Sequence, residues 1–436
     1  MLLLSLNLFP RMLRILLPIV GLCLLWPGFS QAAEWSLTGN VNQTLGYDDN
    51  VRLRKIPQGS FEYRIIPNLT FLHSTEVSEI QANASYGTQV YPNVTGFDRD
   101  MQKYGLSGLY KTERFDWGLS TNYSEAPSVN TALQDSGNFA SNADRNSWSV
   151  SPSVSYKIDE LNSIILTPAY SETSFSRITI DNSSGDTTSS FRNNTIKNVN
   201  LAWQRLWTER YTSSVTLFYT NFNSDRGSGF QTSYDSVGVN LLNAYTWLEN
   251  WKLDGTVGVR HTESKNNGVS GSSLSQNNGT SGGSLSQNNV TSGGSFGFLA
   301  NIGVNYTGEN FSSEIRFKRA LTPSNQGQLQ EQTGVSLNFN YNITERLYAG
   351  LDANFLESTQ VNSISRGTRE YFVIQPSINW RITPEWTLIG SYRYRTRNGS
   401  LGNGSTVNIA NANTTGESNF VMLSINYNWQ GLKISR

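Results

Sequence analysis

Residues 147–158 read Ser-Trp-Ser-Val-Ser-Pro-Ser-Val-Ser-Tyr-Lys-Ile, with an apolar or aromatic side chain at every second position. Successive side chains of a β-strand point to opposite faces, so this stretch predicts a strand with one apolar face and one polar face. The same period of two recurs at 335–343 and at 421–429. Nothing after residue 34 has the 3.6-residue period of an amphipathic helix, and the sequence therefore predicts an all-β protein.

The segments between the predicted strands fall into two classes that alternate along the chain. Eight short turns lie near 74–77, 112–114, 159–162, 208–210, 248–250, 308–310, 344–346 and 383–385. Nine longer polar loops lie at 49–59, 91–98, 125–145, 176–192, 223–231, 264–295, 324–331, 359–368 and 398–417. These connectors join eighteen strands and place both chain ends on the side of the short turns. A soluble sandwich gives no reason for this sorting, whereas outer-membrane barrels have short periplasmic turns and long external loops.

We therefore predict one domain over residues 34–436, a transmembrane antiparallel up-and-down β-barrel of about 18 strands. A closed barrel pairs its backbone groups between strands and crosses a bilayer with roughly 9–11 residues per strand. Aromatic residues crowd the short turns, as an interfacial girdle requires. They are Phe115, Trp117, Tyr211, Trp247, Trp251, Phe311, Tyr348, Trp380 and Trp386.

Four prolines fall inside predicted strands, at Pro67, Pro152, Pro168 and Pro376. Each removes one backbone donor from the hydrogen-bond ladder. The sequence therefore predicts kinks or bulges at these positions; the alternative is that some of these segments do not span the membrane.

Residues 1–33 predict a secretory signal peptide, because Arg11 and Arg14 precede an apolar run at 15–29 and small residues close that run. The alternative is a single membrane anchor, which would need a longer apolar run. Export together with a barrel fold predicts the outer membrane of a Gram-negative bacterium. In that membrane we expect the long loops outside and both termini in the periplasm.

Charge and composition exclude several classes of protein. The chain has 33 basic and 33 acidic residues and no long basic block, so nucleic acid is not an expected partner. Cys23 is the only cysteine and lies within the predicted signal peptide, and His73 and His261 are the only histidines. The mature chain therefore has few side chains that could bind a metal or act as a thiol, and we expect neither a metal site nor a cofactor.

An outer-membrane hydrolase is the enzymatic alternative, and it needs a histidine with a nucleophile or an acid near the loop side. His261 is the candidate, with Ser264 close in sequence and Asp48 and Asp49 at a similar predicted height. No motif brings these residues together. We therefore predict a protein that is not an enzyme.

Inward positions of the predicted strands carry mostly Ser, Thr, Asn and Gly, with charged residues between them. A barrel of about eighteen strands is wide enough for an aqueous channel. The basic side chains on the inward face that we predict to line the pore are Arg64, Lys103, Arg260, Arg316, Lys318, Arg381, Arg393 and Arg395. One hypothesis is a positive patch that favours anionic solutes. The alternative is that these cations pair with neighbouring carboxylates and keep the pore hydrated.

Two motifs resemble a known family. Residues 46–51 read Gly-Tyr-Asp-Asp-Asn-Val, and 65–69 read Ile-Ile-Pro-Asn-Leu. An aromatic-Asp-Asn stretch at the end of the first strand, followed by a strand with an apolar-Pro pair, is similar to the outer-membrane family described as beta-barrel porin type 2. The likeness continues at Pro152 and Pro376. It implies a Gram-negative outer-membrane barrel, with some members similar to proteins found beside exopolysaccharide production, and it implies no catalytic or ligand residues.

The predicted function is that of a porin-like channel for passive diffusion of small hydrophilic solutes, with outer-membrane lipid and the barrel-insertion machinery as partners. The alternative is a non-enzymatic barrel that serves exopolysaccharide export or surface adhesion. A tandem repeat in the loop 264–295, with 273–278 recurring at 284–289, fits a tolerated duplication or an adhesive loop. The sequence leaves the solute and the oligomeric state open.

Overall fold

The computed structural model describes residues 33–131, 141–180, 191–225, 231–269, 287–324, 327–360, 368–400 and 415–435. The predicted signal peptide, apart from its last residue, lies outside the described residues. So does the first copy of the tandem repeat, together with the first half of the second copy.

Eighteen strands build the described part of the chain. They are β1 (Glu34–Asp48), β2 (Ser60–Ser74), β3 (Ser78–Val90), β4 (Arg99–Lys111), β5 (Phe115–Pro127), β6 (Ser141–Lys157), β7 (Asn162–Ile180), β8 (Asn194–Thr208), β9 (Tyr211–Asp225), β10 (Gln231–Leu248), β11 (Trp251–Val269), β12 (Gln287–Thr307), β13 (Phe311–Pro323), β14 (Leu329–Asn342), β15 (Leu347–Gln360), β16 (Thr368–Arg381), β17 (Trp386–Ser400) and β18 (Gly416–Ser435). One four-residue helix, α1 (Ser128–Thr131), lies between β5 and β6. No helix in the described ranges is long and apolar enough to cross a membrane.

Every strand pairs antiparallel with its neighbours in sequence, and β1 also pairs with β18. The sheet therefore closes on itself, which confirms the predicted up-and-down barrel. The short turns and longer loops alternate as the sequence predicts. We call the two ends of the barrel the turn side and the loop side.

The outer face of the barrel is apolar. On β9, Leu217 and Tyr219 are exposed at 52% and 46%, and Val421 on β18 is exposed at 61%. The intervening positions point to the lumen and are mostly small or polar, as with Ser424. An apolar surface that continues round eighteen strands has no stable contact with water, so this face requires lipid.

Side-chain oxygens fix the short turns. Thr112, Thr344 and Thr383 each accept a hydrogen bond from the backbone N–H three residues later, at 2.9, 3.0 and 3.2 Å. Asp159 accepts from the backbone N–H groups of Leu161 and Asn162, both at 2.8 Å. These local bonds satisfy donors that a tight turn removes from the ladder, which is why Thr and Asp recur there.

The strand prolines interrupt pairing without changing register. The β2–β3 ladder stops at Ile65 and resumes at Asn68 with the same register, and the β16–β17 ladder is interrupted in the same way around Pro376. The prediction of bulges at the prolines is therefore wrong. Loss of an N–H removes one ladder bond, but it does not insert the extra residue that a bulge requires.

The barrel closes through a long final strand. Residues 430–435 follow Trp429 and continue β18 along β1, where Ser435 pairs with Glu34. The register shifts beside Gly431, whose φ of +76° is a left-handed conformation, and a Cβ there would collide with the carbonyl oxygen of Leu37. Glycine is therefore required at this position.

Candidate functional site

The eight cations predicted to line the pore all lie at inward positions, because each is offset by an odd number of residues from apolar side chains on the outer face of its strand. Their environments differ. Lys103, Lys318 and Arg381 are exposed, Arg64, Arg316 and Arg393 are half-buried, and Arg260 and Arg395 are buried. The structure distributes them over separate parts of the lumen rather than gathering all eight in one patch.

Arg316 on β13 lies between two carboxylates. Its Nη1 is 2.8 Å from Asp254 Oδ2, and its Nε is 2.7 Å from Glu314 Oε1. A third bond runs from Nη1 to the side-chain oxygen of Asn301 at 3.1 Å. Two carboxylates surround the one guanidinium and compensate its charge, so Arg316 does not add to a positive patch.

Arg381 lies at the turn side. It lines a recess of about 400 Å³ together with Tyr348, Thr387, Asn426 and other inward side chains of β15 to β18. The recess is open, its lining is mixed polar and apolar, and it forms part of the turn-side mouth of the lumen.

Three of the long loops fold inward on the loop side. Apolar side chains from the β1–β2 loop, the β3–β4 connection and α1 form one buried cluster with an inward side chain of β16. We call this the loop cluster; it consists of Val51, Leu53, Tyr91, Val94, Phe97, Val129 and Tyr371. Leu356 and Val373 on the inner wall pack against it. Sequence analysis missed this cluster, although apolar residues inside otherwise polar loops are a signal that could have found it.

Polar contacts hold the β1–β2 loop in this position. The Asn50 side-chain nitrogen donates to the Arg54 and Glu417 carbonyl oxygens at 2.7 and 2.8 Å. The Arg52 guanidinium lies 4.6 Å from the centre of the Phe97 ring. Leu53 adopts a left-handed φ of +46° and is fully buried. The loop is therefore attached both to β18 and to the neighbouring β3–β4 connection.

The β3–β4 connection is tied to the strands beyond it. Asp144 on β6 is buried; its Oδ1 forms an ion pair with Arg99 Nε at 2.8 Å, and its Oδ2 accepts a hydrogen bond from Arg177 Nε. Arg99 also donates to the Thr179 hydroxyl at 2.9 Å. One carboxylate therefore joins β4, β6 and β7 beside the loop cluster.

A layer of charged residues lies directly below the loop cluster. Arg395 Nη2 is 2.6 Å from Asp48 Oδ2, and Ser418 donates to the other oxygen of Asp48 at 2.7 Å. Glu62 accepts from Gln89 at 2.9 Å and from the Tyr91 hydroxyl at 3.0 Å. Burial, and then the Glu62 carboxylate, raise the pKa of Tyr91, so its hydroxyl remains a donor.

Besides the loop cluster, a second group of residues folds into the lumen, and it comes from the β13–β14 hairpin. β12 pairs with β13 only as far as Ala300 opposite Arg319, whereas β13 and β14 continue pairing to the end of their hairpin. The freed end leans across the lumen, where Leu329 packs on Phe222 and Tyr234 of β9 and β10. The two inward groups together narrow the loop-side mouth.

Arg260 belongs to this second group. Glu331 on β14 lies between Arg260, whose Nη2 is 3.8 Å away, and Arg319, which contacts the other carboxylate oxygen. Arg260 also donates to the Thr262 hydroxyl at 2.8 Å. Its positive charge therefore holds the hairpin rather than facing open solvent.

The residues of the enzymatic alternative do not meet. His261 lies on β11 against the Phe296 ring and 3.6 Å from Glu263. Asp48 lies on β1, on the opposite side of the barrel, with Arg395. Within the described residues, no group of three or more His, Cys, Asp or Glu side chains is arranged to hold a metal ion.

No family model matches this chain, so the family that the motifs suggest stays a prediction. No curated protein matches it either. Among solved structures, the ferric citrate transporter FecA is similar with a TM-score of 0.47 and 9% identity over 92% of this chain and 79% of that chain. The Fiu ferric-catecholate import receptor of Escherichia coli K12 has a TM-score of 0.46 and 9% identity, over 90% and 81%. OpdK of Pseudomonas aeruginosa has a TM-score of 0.45 and 9% identity, over 91% and 99%.

Proposed function

We propose that the protein is an outer-membrane channel through which small hydrophilic solutes, anionic ones among them, diffuse passively. The observation that carries this proposal is the closed wall of eighteen strands, apolar outside and polar inside. A barrel of this strand number encloses an aqueous lumen unless segments fill it. The two inward groups at the loop side then act as the constriction that sets the size of the solute.

The wall inside the lumen supports passage of hydrated solutes. Asn and Ser side chains bond to one another along it, as between Asn68 and Asn40 at 2.7 Å and between Asn340 and Asn338 at 2.8 Å. Such a surface replaces water contacts without binding one solute tightly, which permits exit as well as entry. Lys103 and Lys318 are exposed and add positive charge that attracts anions.

Refolded mature protein in planar lipid bilayers tests the proposal. We expect stepwise single-channel conductance, and in asymmetric KCl a reversal potential on the anion-selective side. Liposome swelling with sugars of increasing size then measures the constriction. Absence of conductance from protein that is shown to be a folded barrel would refute passive diffusion, and clear cation preference would refute the anion preference.

The inward loops favour one alternative, a scaffold or conduit for exopolysaccharide export or adhesion. In that role the loop cluster closes the mouth until a partner displaces it, and the loop side binds surface polymer. This alternative expects silent barrels in pure bilayers, whereas the channel expects spontaneous opening.

In either role the partners are outer-membrane lipid and the barrel-insertion machinery. The loop side faces outward, both termini lie in the periplasm, and the protein is not an enzyme. Protease added to intact cells tests the orientation, since it should cut at the long loops and spare the short turns.

A further inference from the structure

The β13–β14 hairpin leaves the wall of the barrel on the loop side. β12 and β13 pair only as far as Ala300 opposite Arg319. Both strands continue beyond that pair, because β12 is paired with β11 back to Gln287 and β13 is paired with β14 as far as Pro323. The loop-side half of β12 therefore has an edge that no described residue of β13 pairs with.

The hairpin lies instead across the inner face of the wall, and we call this position the inner seat. Leu329 packs there with Phe222 and Tyr234, which point into the lumen from β9 and β10. Gly327, between the two strands of the hairpin, lies against the Ser224 side chain of β9. Because β9 is three strands away from β12 and neighbouring strands lie about 4.8 Å apart, the hairpin end is displaced by roughly 14 Å along the wall.

The sequence of the hairpin also suits a position in the wall, which we call the wall seat. If the β12–β13 register continued, Leu321 would lie opposite Phe298, and Pro323 would lie opposite Phe296. These positions belong to the outward set of side chains, in which Phe298 and Phe296 are exposed at 48% and 85%. Leu321 and Pro323 would then face lipid beside the two rings, so the same apolar residues fit both seats.

The inner seat leaves a strand edge unpaired close to lipid. Val259 on β11 lies opposite Phe298, and both are exposed on the outer face, so the unpaired stretch of β12 begins within the apolar band. A backbone group without a partner is costly next to lipid, because no water replaces the lost hydrogen bond. The wall seat restores these bonds, whereas the inner seat gains apolar packing and the 3.8 Å contact of Glu331 with Arg260. Each seat therefore has stabilising interactions that the other lacks.

We propose that the β13–β14 hairpin is a gate that moves between the inner seat, where it narrows the loop-side mouth, and the wall seat, where it widens the mouth. The proposal rests on the proposed function only for the effect of the gate on conductance.

The last β12–β13 pair is the pivot of this movement. Pairing is intact on the turn side of Ala300 and Arg319 and absent on the loop side. The Arg319 guanidinium lies 4.4 Å from the centre of the Phe298 ring on β12 and contacts Glu331 within the hairpin, so it bridges the two strands where they separate. β14 stays paired with β15 as far as Gln330, so the movement bends a continuous sheet and breaks no ladder bond there.

A disulfide that requires the wall seat tests the gate. Phe296→Cys combined with Pro323→Cys places two thiols opposite one another in the continued register, where antiparallel Cα atoms lie about 4.5–5.5 Å apart and can be bridged. In the inner seat these two positions are not paired. Cys23 is the only cysteine of the chain and lies in the predicted signal peptide, so the mature protein contributes no competing thiol.

The mature protein is refolded under reducing conditions, checked for a folded barrel by heat-dependent gel migration, and only then oxidised. Peptide mass analysis scores the bridge and needs no conductance. We expect the bridge to form in the folded barrel. In planar bilayers we expect the bridged protein to show a larger main conductance than its reduced form, and dithiothreitol to reverse the change.

Two further cysteine pairs serve as controls. Thr307→Cys with Ser312→Cys joins positions that are already opposite one another on the turn side of the pivot, so it should form its bridge and leave conductance unchanged. Ser224→Cys with Gly327→Cys joins residues that touch in the inner seat, so its bridge should hold the mouth narrow and lower the mean conductance.

Absence of the Phe296→Cys/Pro323→Cys bridge from folded protein in which the Thr307→Cys/Ser312→Cys pair is bridged would overturn the gate. So would a bridge that leaves the conductance at its reduced value. A bridge in protein that never conducts would support the wall seat and contradict the channel. Conductance without the bridge would support the channel and contradict the gate.

Discussion

Truncation of Leu53 should open the loop-side mouth while the barrel stays folded. Leu53 is fully buried in the loop cluster, yet it belongs to the connection between β1 and β2 and contributes nothing to the ladder of the wall. Leu→Ala at a fully buried site costs about 2–5 kcal/mol. Because the loop can move away without breaking strand pairs, we expect this free energy to shift the loop equilibrium rather than to unfold the barrel.

The shift corresponds to roughly a 30-fold to several-thousand-fold increase in the ratio of open to folded-in loops, since each 1.4 kcal/mol is a factor of ten. Single-channel recordings of Leu53→Ala should show longer open times and a larger main conductance than the wild type. Trypsin provides a second readout, because Arg52 in the same loop is only 5% exposed and should be cut faster once the loop opens.

The matched control is Leu45→Ala. Leu45 precedes the same loop on β1 but points outward and is 56% exposed. It makes no contribution to the loop cluster, so open times and trypsin cleavage should match the wild type. Wild-type gating and wild-type cleavage in Leu53→Ala, from protein with an intact barrel, would refute the claim that this cluster narrows the mouth.

Three further substitutions test other parts of the structure. Arg395→Gln leaves the Asp48 carboxylate buried without its ion-pair partner and should cost about 3–5 kcal/mol in the free energy of unfolding, whereas the double variant with Asp48→Asn should recover part of that loss in urea titrations. Glu331→Gln weakens the contact that draws the β13–β14 hairpin inward, so we expect a larger single-channel conductance; an unchanged conductance would show that the hairpin does not limit the lumen. Gly431→Ala forces a side chain into a left-handed conformation and a backbone contact where β18 closes on β1, and it should lower the midpoint of unfolding, which heat-dependent gel migration measures.

The local alternation of apolar and polar residues was sufficient to predict the strands that form the wall of the barrel. The alternation at 147–158 and at 421–429 appears in the structure as β6 and β18, with apolar side chains outward. At the predicted short turns, Thr and Asp side chains accept backbone hydrogen bonds from residues two or three positions later. These features depend on neighbours in sequence, and so a single sequence contains the information.

The candidate site was only partly predictable. The inward direction of Arg393 and Arg395 follows from strand period, but the difference between them does not, because Asp48, the partner of Arg395, lies 347 residues away in the chain. Nothing in the sequence marked Tyr371 as part of a buried cluster, because its burial depends on residues from three other connections that pack against it. The strand prolines were predicted in part. The sequence predicted the lost ladder bond, but it did not predict that the strand register would be preserved.

The sequence by itself determined the number of strands, the face that each side chain takes and the end of the barrel at which the loops gather. It could do so because the pleat and the turn act within a few residues. Only the tertiary structure decided which loops fold inward and which cations meet carboxylates. Barrel closure creates those contacts by bringing distant strands to the same height around one lumen, and no local period encodes that placement.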